Sequence, residues 1–187
     1  MKYILILSVL VVILLIGGCS FISESNITMQ NLRCEYLENP LGIDVAQPRL
    51  NWTMESEVRG SNQKAYQVLV ASSPSLLVEG KADLWDSGKI ESNQSSQIVY
   101  SGKEMTSRTS CWWKVRVWNQ DNQVSAWSKP ARWTMGLLNP SDWQGQWICA
   151  NVPNDKPDDF AWPLPWLRKN FTLSAKPKQA MVSISTL

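Results

Sequence analysis

Two hydrophobic patterns divide the chain. Residues 3–16 are apolar apart from Ser8, and Gly17, Gly18 and Cys19 follow. Between Leu32 and Met135 no such run recurs and no 3.6-residue period is sustained. Apolar and polar residues instead alternate in short stretches, as half-buried strands require. Residues 49–54 place Leu50, Trp52 and Met54 on one face. Gln63–Ala71 puts Tyr66, Val68 and Val70 on one side, with Gln67 and Leu69 opposite. The clearest strand covers residues 111–118: Cys111, Trp113, Val115 and Val117 face one way, and Trp112, Lys114, Arg116 and Trp118 the other. Residues 98–100 and 127–135 supply two more. Turn signals such as Asn39-Pro40, Gln47-Pro48, Arg59-Gly60, Ser73-Pro74 and Ser87-Gly88 separate these runs. Residues 74–84 are too broken by Gly80 for more than one helical turn. Around seven short strands in about 100 residues predict an all-β, antiparallel β-sandwich with one buried and one wet face per sheet.

The leading run has fourteen residues, whereas crossing a hydrocarbon core needs roughly 20. With Lys2 before it and small residues after it, it reads as a secretory signal. Ile16-Gly17-Gly18-Cys19 resembles a bacterial lipobox, in which the cysteine thiol accepts diacylglycerol and a peptidase cuts before it. Residues 1–19 are therefore expected to be a lipoprotein signal peptide and Cys19 the lipid attachment site. The alternative is a short uncleaved anchor with a chance cysteine. Acyl chains worth about 0.8 kcal/mol per buried CH₂ would hold the product on a membrane. Export to the cell envelope follows, and Ser20, where an aspartate would signal inner-membrane retention, favours the outer membrane. Residues 20–30 are polar and are expected to form a flexible tether.

Composition narrows the chemistry. There is no histidine, which removes Ser-His-Asp and Cys-His nucleophile systems and His-ligated zinc. Eighteen Lys and Arg against sixteen Asp and Glu give +2, no field for nucleic acid. No phosphate loop is present, and no cofactor is expected. Cys34, Cys111 and Cys149 lack a CxxC spacing; export permits one disulfide, but small buried hydrophobes are the preferred reading. Asp155, Asp158 and Asp159 lack the regular spacing of a calcium loop and read as a solvated connection. Four Asn-x-Ser/Thr triplets, at Asn26, Asn51, Asn93 and Asn170, read as chance matches in a bacterial protein. The eleven tryptophans carry the most information. By phase, Trp52, Trp113 and Trp85 point inward. Trp112, Trp118 and Trp127 point outward or lie by a turn, where they would stack on glycan or, as we favour, pack against a neighbouring domain. Trp143 and Trp147 would pin two sandwiches together.

Specific wording goes beyond a generic sandwich. Asn31-Leu32-Arg33-Cys34-Glu35-Tyr36, Asn39-Pro40-Leu41-Gly42-Ile43-Asp44 and Pro48-Arg49-Leu50-Asn51-Trp52 resemble the opening of bacterial α-L-rhamnosidases. So do Gln63-Lys64-Ala65-Tyr66-Gln67-Val68, Leu84-Trp85-Asp86-Ser87-Gly88-Lys89 and Trp113-Lys114-Val115-Arg116-Val117-Trp118. Ser125-Ala126-Trp127-Ser128, Met135-Gly136-Leu137-Leu138 and Gln146-Trp147-Ile148 continue the match. The resemblance implies a fibronectin type III-like sandwich over residues 31–137. It further implies a linker and the truncated start of a second β-sandwich domain over 138–187, beginning near Ser141. Pro163-Leu164-Pro165 through Leu173 would be that domain's early strand, and Met181 to Leu187 a strand cut off in mid-course. The tyrosine that usually opens the penultimate strand of fibronectin-like sandwiches is Cys111 here, so its tie back to the chain is not expected from that position.

The resemblance also implies an inverting glycosidase, with one carboxyl as acid and another as base. Those acids belong to an (α/α)₆ barrel that nothing between positions 1 and 187 matches, so no catalytic residue is assigned. The expectation is a non-catalytic anchor and scaffold, reaching rhamnose-containing glycans through other domains and the membrane through Cys19, with no nucleic-acid partner. The rival is a standalone lipid-anchored glycan-binding or spacer protein.

Overall fold

A computed structural model describes residues 25–149, 166–177 and 180–184. The chain divides into two units, Met1–Gln144 and Gly145–Leu187. Cys19, Asp155, Asp158, Asp159 and Trp162 lie outside the described residues. Among the described residues no helix is long and apolar enough to cross a membrane.

Among its described residues the first unit has eight strands: β1 (Ile27–Cys34), β2 (Arg49–Ser56), β3 (Gln63–Ala71), β4 (Trp85–Asp86), β5 (Ile90–Glu91), β6 (Ile98–Val99), β7 (Ser110–Asn119) and β8 (Ala131–Thr134). One sheet has the order β1-β2-β6. The other runs β4-β3-β7-β8, with β5 also paired to β3. Every named strand pair is antiparallel. The inward phases of both sheets meet in one core: Leu50 and Trp52 from the first, and Val68, Val70, Trp113, Val115, Val117 and Trp133 from the second. This is the all-β antiparallel sandwich expected of the pattern, and β7 alternates without a break along its ten residues.

The structure departs from expectation at several places. β1 begins at Ile27, inside the stretch expected to be tether, because Ile27 and Met29 are buried between the polar Thr28 and Gln30. Only two apolar residues mark that alternation, too few to stand out from the polar segment before it. The last strand is shorter than residues 127–135. Trp127 precedes it, and Ser125 and Ser128 instead cap β7 through their hydroxyls, which accept from the Val117 and Val115 N–H groups.

β3 is buried on both faces. Leu69 and Ala71 are covered by the crossover after β3, whose Leu77 joins them in a satellite cluster with Trp112 and Trp127, while buried Gln67 is bonded to Asp86 and Arg116. A tie-back does exist, but it comes from Tyr100. Its hydroxyl reaches the Lys103 carbonyl at 2.8 Å and the Leu84 carbonyl at 3.2 Å, and its ring packs edge-on against Trp85 and Trp133.

The first unit also runs past residue 137. Asp142 closes a short 3-10 turn, Pro140–Asp142, and its carboxylate accepts from the Asn139 N–H at 3.0 Å and from the Ser107 hydroxyl. Ser141 therefore belongs to this unit. Cys34 and Cys111 are buried and unpaired as expected, but Cys149 is exposed. In the second unit no strand occurs among the described residues, neither over Trp166–Leu173 nor over Met181–Ile184. Alternation alone does not make a strand; an extended segment needs a neighbour to accept its N–H groups. Trp166, 98% exposed, has no apolar partner there.

Candidate functional site

Acid–base chemistry is the first candidate, because carboxylates are what the composition leaves. A glycosidase acid must be held protonated, with its pKa raised. The perturbed carboxyls here move the other way. Glu35 is lowered by the Arg49 guanidinium, which donates to it at 2.6 and 3.1 Å, and by the Arg49 N–H at 2.6 Å. Partial burial works against the Asp83 charge, but the Ser72 hydroxyl and N–H outweigh it. Glu91 is lowered by Lys89, and Asp142 by Ser107 and Asn139. Glu35, Asp83 and Asp142 each tie one backbone segment to another, whereas Glu91 pairs with Lys89 two residues away. Among the described residues no three His, Cys, Asp or Glu gather as a metal set.

The outward tryptophans form the second candidate. On the outer face of β7, Arg116 lies between two indoles, its guanidinium carbon 4.5 Å from the Trp127 ring centre and 5.2 Å from that of Trp118. The Lys114 ammonium sits 4.8 Å from Trp127, and Lys89 sits 5.2 Å from Trp118. Arg116 also donates to Gln67 at 3.0 Å and Glu79 at 2.8 Å, while Gln67 donates to Asp86 at 2.6 Å. Trp118 and Trp127, on which a sugar would stack, are thus taken up by the protein's own cations, and Trp112 packs against the Leu69–Leu77 cluster. Burial and the Arg116 charge both push the Lys114 ammonium below its ordinary range. Trp85 is half-buried against the core as expected, whereas Trp143 and Trp147 are exposed. Trp133, which period-two reasoning did not single out, is fully buried. Its alternation with Ala131 was the available signal.

Among the described residues, grooves also lie at the two flanks of the sandwich. The first, about 490 Å³, runs between β1 and the segment leading into β8. The second, about 480 Å³, lies between β6 and the β4–β5 edge, with Tyr66 and Trp85 in its lining.

With this geometry in place, similarity to known proteins can be weighed. Residues 29–139 match the model of the Rha78A-like, N-terminal immunoglobulin domain. The chain belongs to that family. Rha78A-like N-terminal domains sit at the head of much larger proteins. An α-L-rhamnosidase of Streptomyces avermitilis is 46% identical over 119 residues, which is 64% of this chain and 11% of the relative. One from Formosa agariphila is 41% identical over 144 residues, 75% of this chain and 15% of the relative. Among solved structures, the Streptomyces avermitilis α-L-rhamnosidase complexed with L-rhamnose superposes with a TM-score of 0.64 at 42% identity, covering 67% of this chain and 12% of that one. The Rha78A-like domain here thus spans only a small part of the length of the curated relatives it matches.

Proposed function

We propose that this chain is the N-terminal, non-catalytic portion of an exported α-L-rhamnosidase, which would release terminal α-L-rhamnose from glycosides or polysaccharides with inversion. The observation that carries the reading is the share of the relatives covered: residues 29–139 match an N-terminal immunoglobulin domain, and the Streptomyces avermitilis relative is covered over only 11% of its length. The downward pKa shifts of the four perturbed carboxyls support a scaffold role, since none is poised to donate a proton at neutral pH. Residues 138–187 would lead into a second β-sandwich domain of the whole enzyme. Cys19, once acylated, would hold the product on the bacterial envelope, with the outer membrane as destination and rhamnose-containing glycans reached by the remaining domains.

Two measurements test this. The purified chain should give no turnover of an aryl α-L-rhamnoside, whereas the protein translated from a reading frame extended past Leu187 should. Turnover by the chain alone would overturn the scaffold reading. In cells, labelled palmitate should enter the wild type and be lost in Cys19→Ala; equal labelling of both would refute the anchor.

A further inference from the structure

The groove between β6 and the β4–β5 edge has an unusual chemistry. None of its lining residues carries a charge. Tyr66 and Trp85 each bring one polar group. Tyr66 is only 8% exposed, yet its hydroxyl meets no partner among the described residues, and neither does the Trp85 indole N–H. Neither atom is sealed inside the protein; the sealed, unpartnered side-chain atoms are Ser25 Oγ and Asn51 Nδ2. Desolvation alone raises the Tyr66 pKa, with no hydrogen bond contributing. A nearly buried phenol and a half-buried indole that face no protein partner must be satisfied by whatever fills the space they open into.

The rim adds Gln94, Gln97 and Ser101, all exposed, and the side-chain amide of Gln97 and the hydroxyl of Ser101 are unclaimed by the described residues. Gln97 is held in the left-handed region at φ 55°, with its N–H fixed by Asn51 Oδ1 at 2.8 Å. Exposed Ile90 and Val99 complete the wall with apolar surface. A cavity of this size falls within the range of small-ligand sites, which combine apolar walls with a few placed polar groups.

We propose that this groove binds one neutral 6-deoxyhexose unit of a glycan. The Tyr66 hydroxyl and Trp85 N–H would bond ring hydroxyls at the floor, and Gln94, Gln97 and Ser101 would bond those at the rim. Ile90 and Val99 would cover the C6 methyl group that distinguishes such a sugar from its hydroxymethyl counterpart. The uncharged lining excludes uronic acids, whose carboxylate would lose its hydration without a cation to replace it. The 6-deoxy identity of the sugar, and with it the choice of L-rhamnose as probe, rests on the proposed function; the neutral-sugar chemistry rests on the lining alone.

The test is a titration of the full chain, labelled with ¹⁵N-tryptophan, by L-rhamnose, by L-mannose (the same sugar with a C6 hydroxyl) and by D-galacturonate. Trp85→Phe assigns the Trp85 indole signal among the eleven tryptophans. L-rhamnose should shift that signal with saturation, L-mannose should bind about 3- to 10-fold more weakly, and D-galacturonate should leave it unmoved. Tyr66→Phe keeps the ring against Trp52, and Gln97→Ala lies on the rim. Each should weaken L-rhamnose by about 3- to 10-fold while the other indole signals stay in place. No saturable shift with L-rhamnose, equal response to L-mannose, or indifference to both substitutions would overturn the proposal. Because no bond is cleaved in this measurement, its outcome is independent of whether a longer protein hydrolyses rhamnosides.

Discussion

Tyr100 and Gly102 illustrate how much of the sandwich depends on single atoms. The Tyr100 hydroxyl bridges two backbone carbonyls from within the core, and burial lifts its pKa well above the ordinary phenol range. Gly102 lies beside it: a Cβ there would stand 2.5 Å from both that hydroxyl oxygen and the Trp85 Cβ, and would overlap the Leu84 carbonyl. Gly102→Ala is therefore expected to destabilise the protein by about 1–3 kcal/mol, as overpacking does. Tyr100→Phe should cost about 1 kcal/mol, since the ring stays and only the hydroxyl's bonds are lost. Urea denaturation followed by near-ultraviolet circular dichroism measures both. Neither role was legible in the sequence. Ser101-Gly102 reads as a turn whether or not a methyl would fit, and a tyrosine closing a short strand gives no sign of which carbonyls lie in reach.

Strands were legible in proportion to their length and to how cleanly their two faces differ. β7, with ten residues and two chemically distinct faces, was fully readable. β3 hid the burial of its outer face, because what covers Leu69 and Ala71 is supplied by the crossover around Leu77, and Gln67 is bonded to Asp86 and Arg116. The β1–β2 connection shows a similar dependence on long-range contact. Glu35 and Tyr36 sit consecutively in the left-handed region, at φ 48° and 64°, between the bridged pair Cys34 and Leu37. Such a turn normally favours Asn or Gly. Here Arg49 compensates, holding the Glu35 carboxylate and lying 5.3 Å from the centre of the Tyr36 ring. Because the Glu35 pKa is depressed below its usual 4.5, the latch contributes fully above that value and is lost as pH falls through the lowered one. Glu35→Gln should thus be less stable than wild type at pH 7, by about 1 kcal/mol. The gap should close in acid, and thermal melts at pH 7 and pH 3 would show it.

For the whole molecule, the missing histidine has a consequence of its own. No side chain is set to titrate between the carboxylate and thiol ranges, so melting temperature should stay level from about pH 5 to pH 8. At the alkaline end Cys34 and Cys111, pushed up from 9.0 to about 12 by burial, act in the opposite sense to Glu35. Their neutral forms are favoured by the fold, so their contribution is intact below pH 9.0 and fades as pH climbs to about 12. A melting temperature that holds to pH 9 and then drops is the expected profile, and Cys34→Ser/Cys111→Ser should flatten the drop. The sandwich was readable from periodicity, and the family from its wording. The neutral flank groove was not, because Tyr66, Trp85 and Gln97 come from distant stretches that meet only across two sheet edges.

The same two interior thiols give the domain a built-in clock. Cys149 stands in solvent, whereas Cys34 and Cys111 are 1% and 0% exposed. Among the described residues, an alkylating reagent will therefore tag Cys149 at once and wait for Cys34 and Cys111 until the sandwich comes apart. The mass of the labelled chain against time then reports how long each native molecule survives between openings.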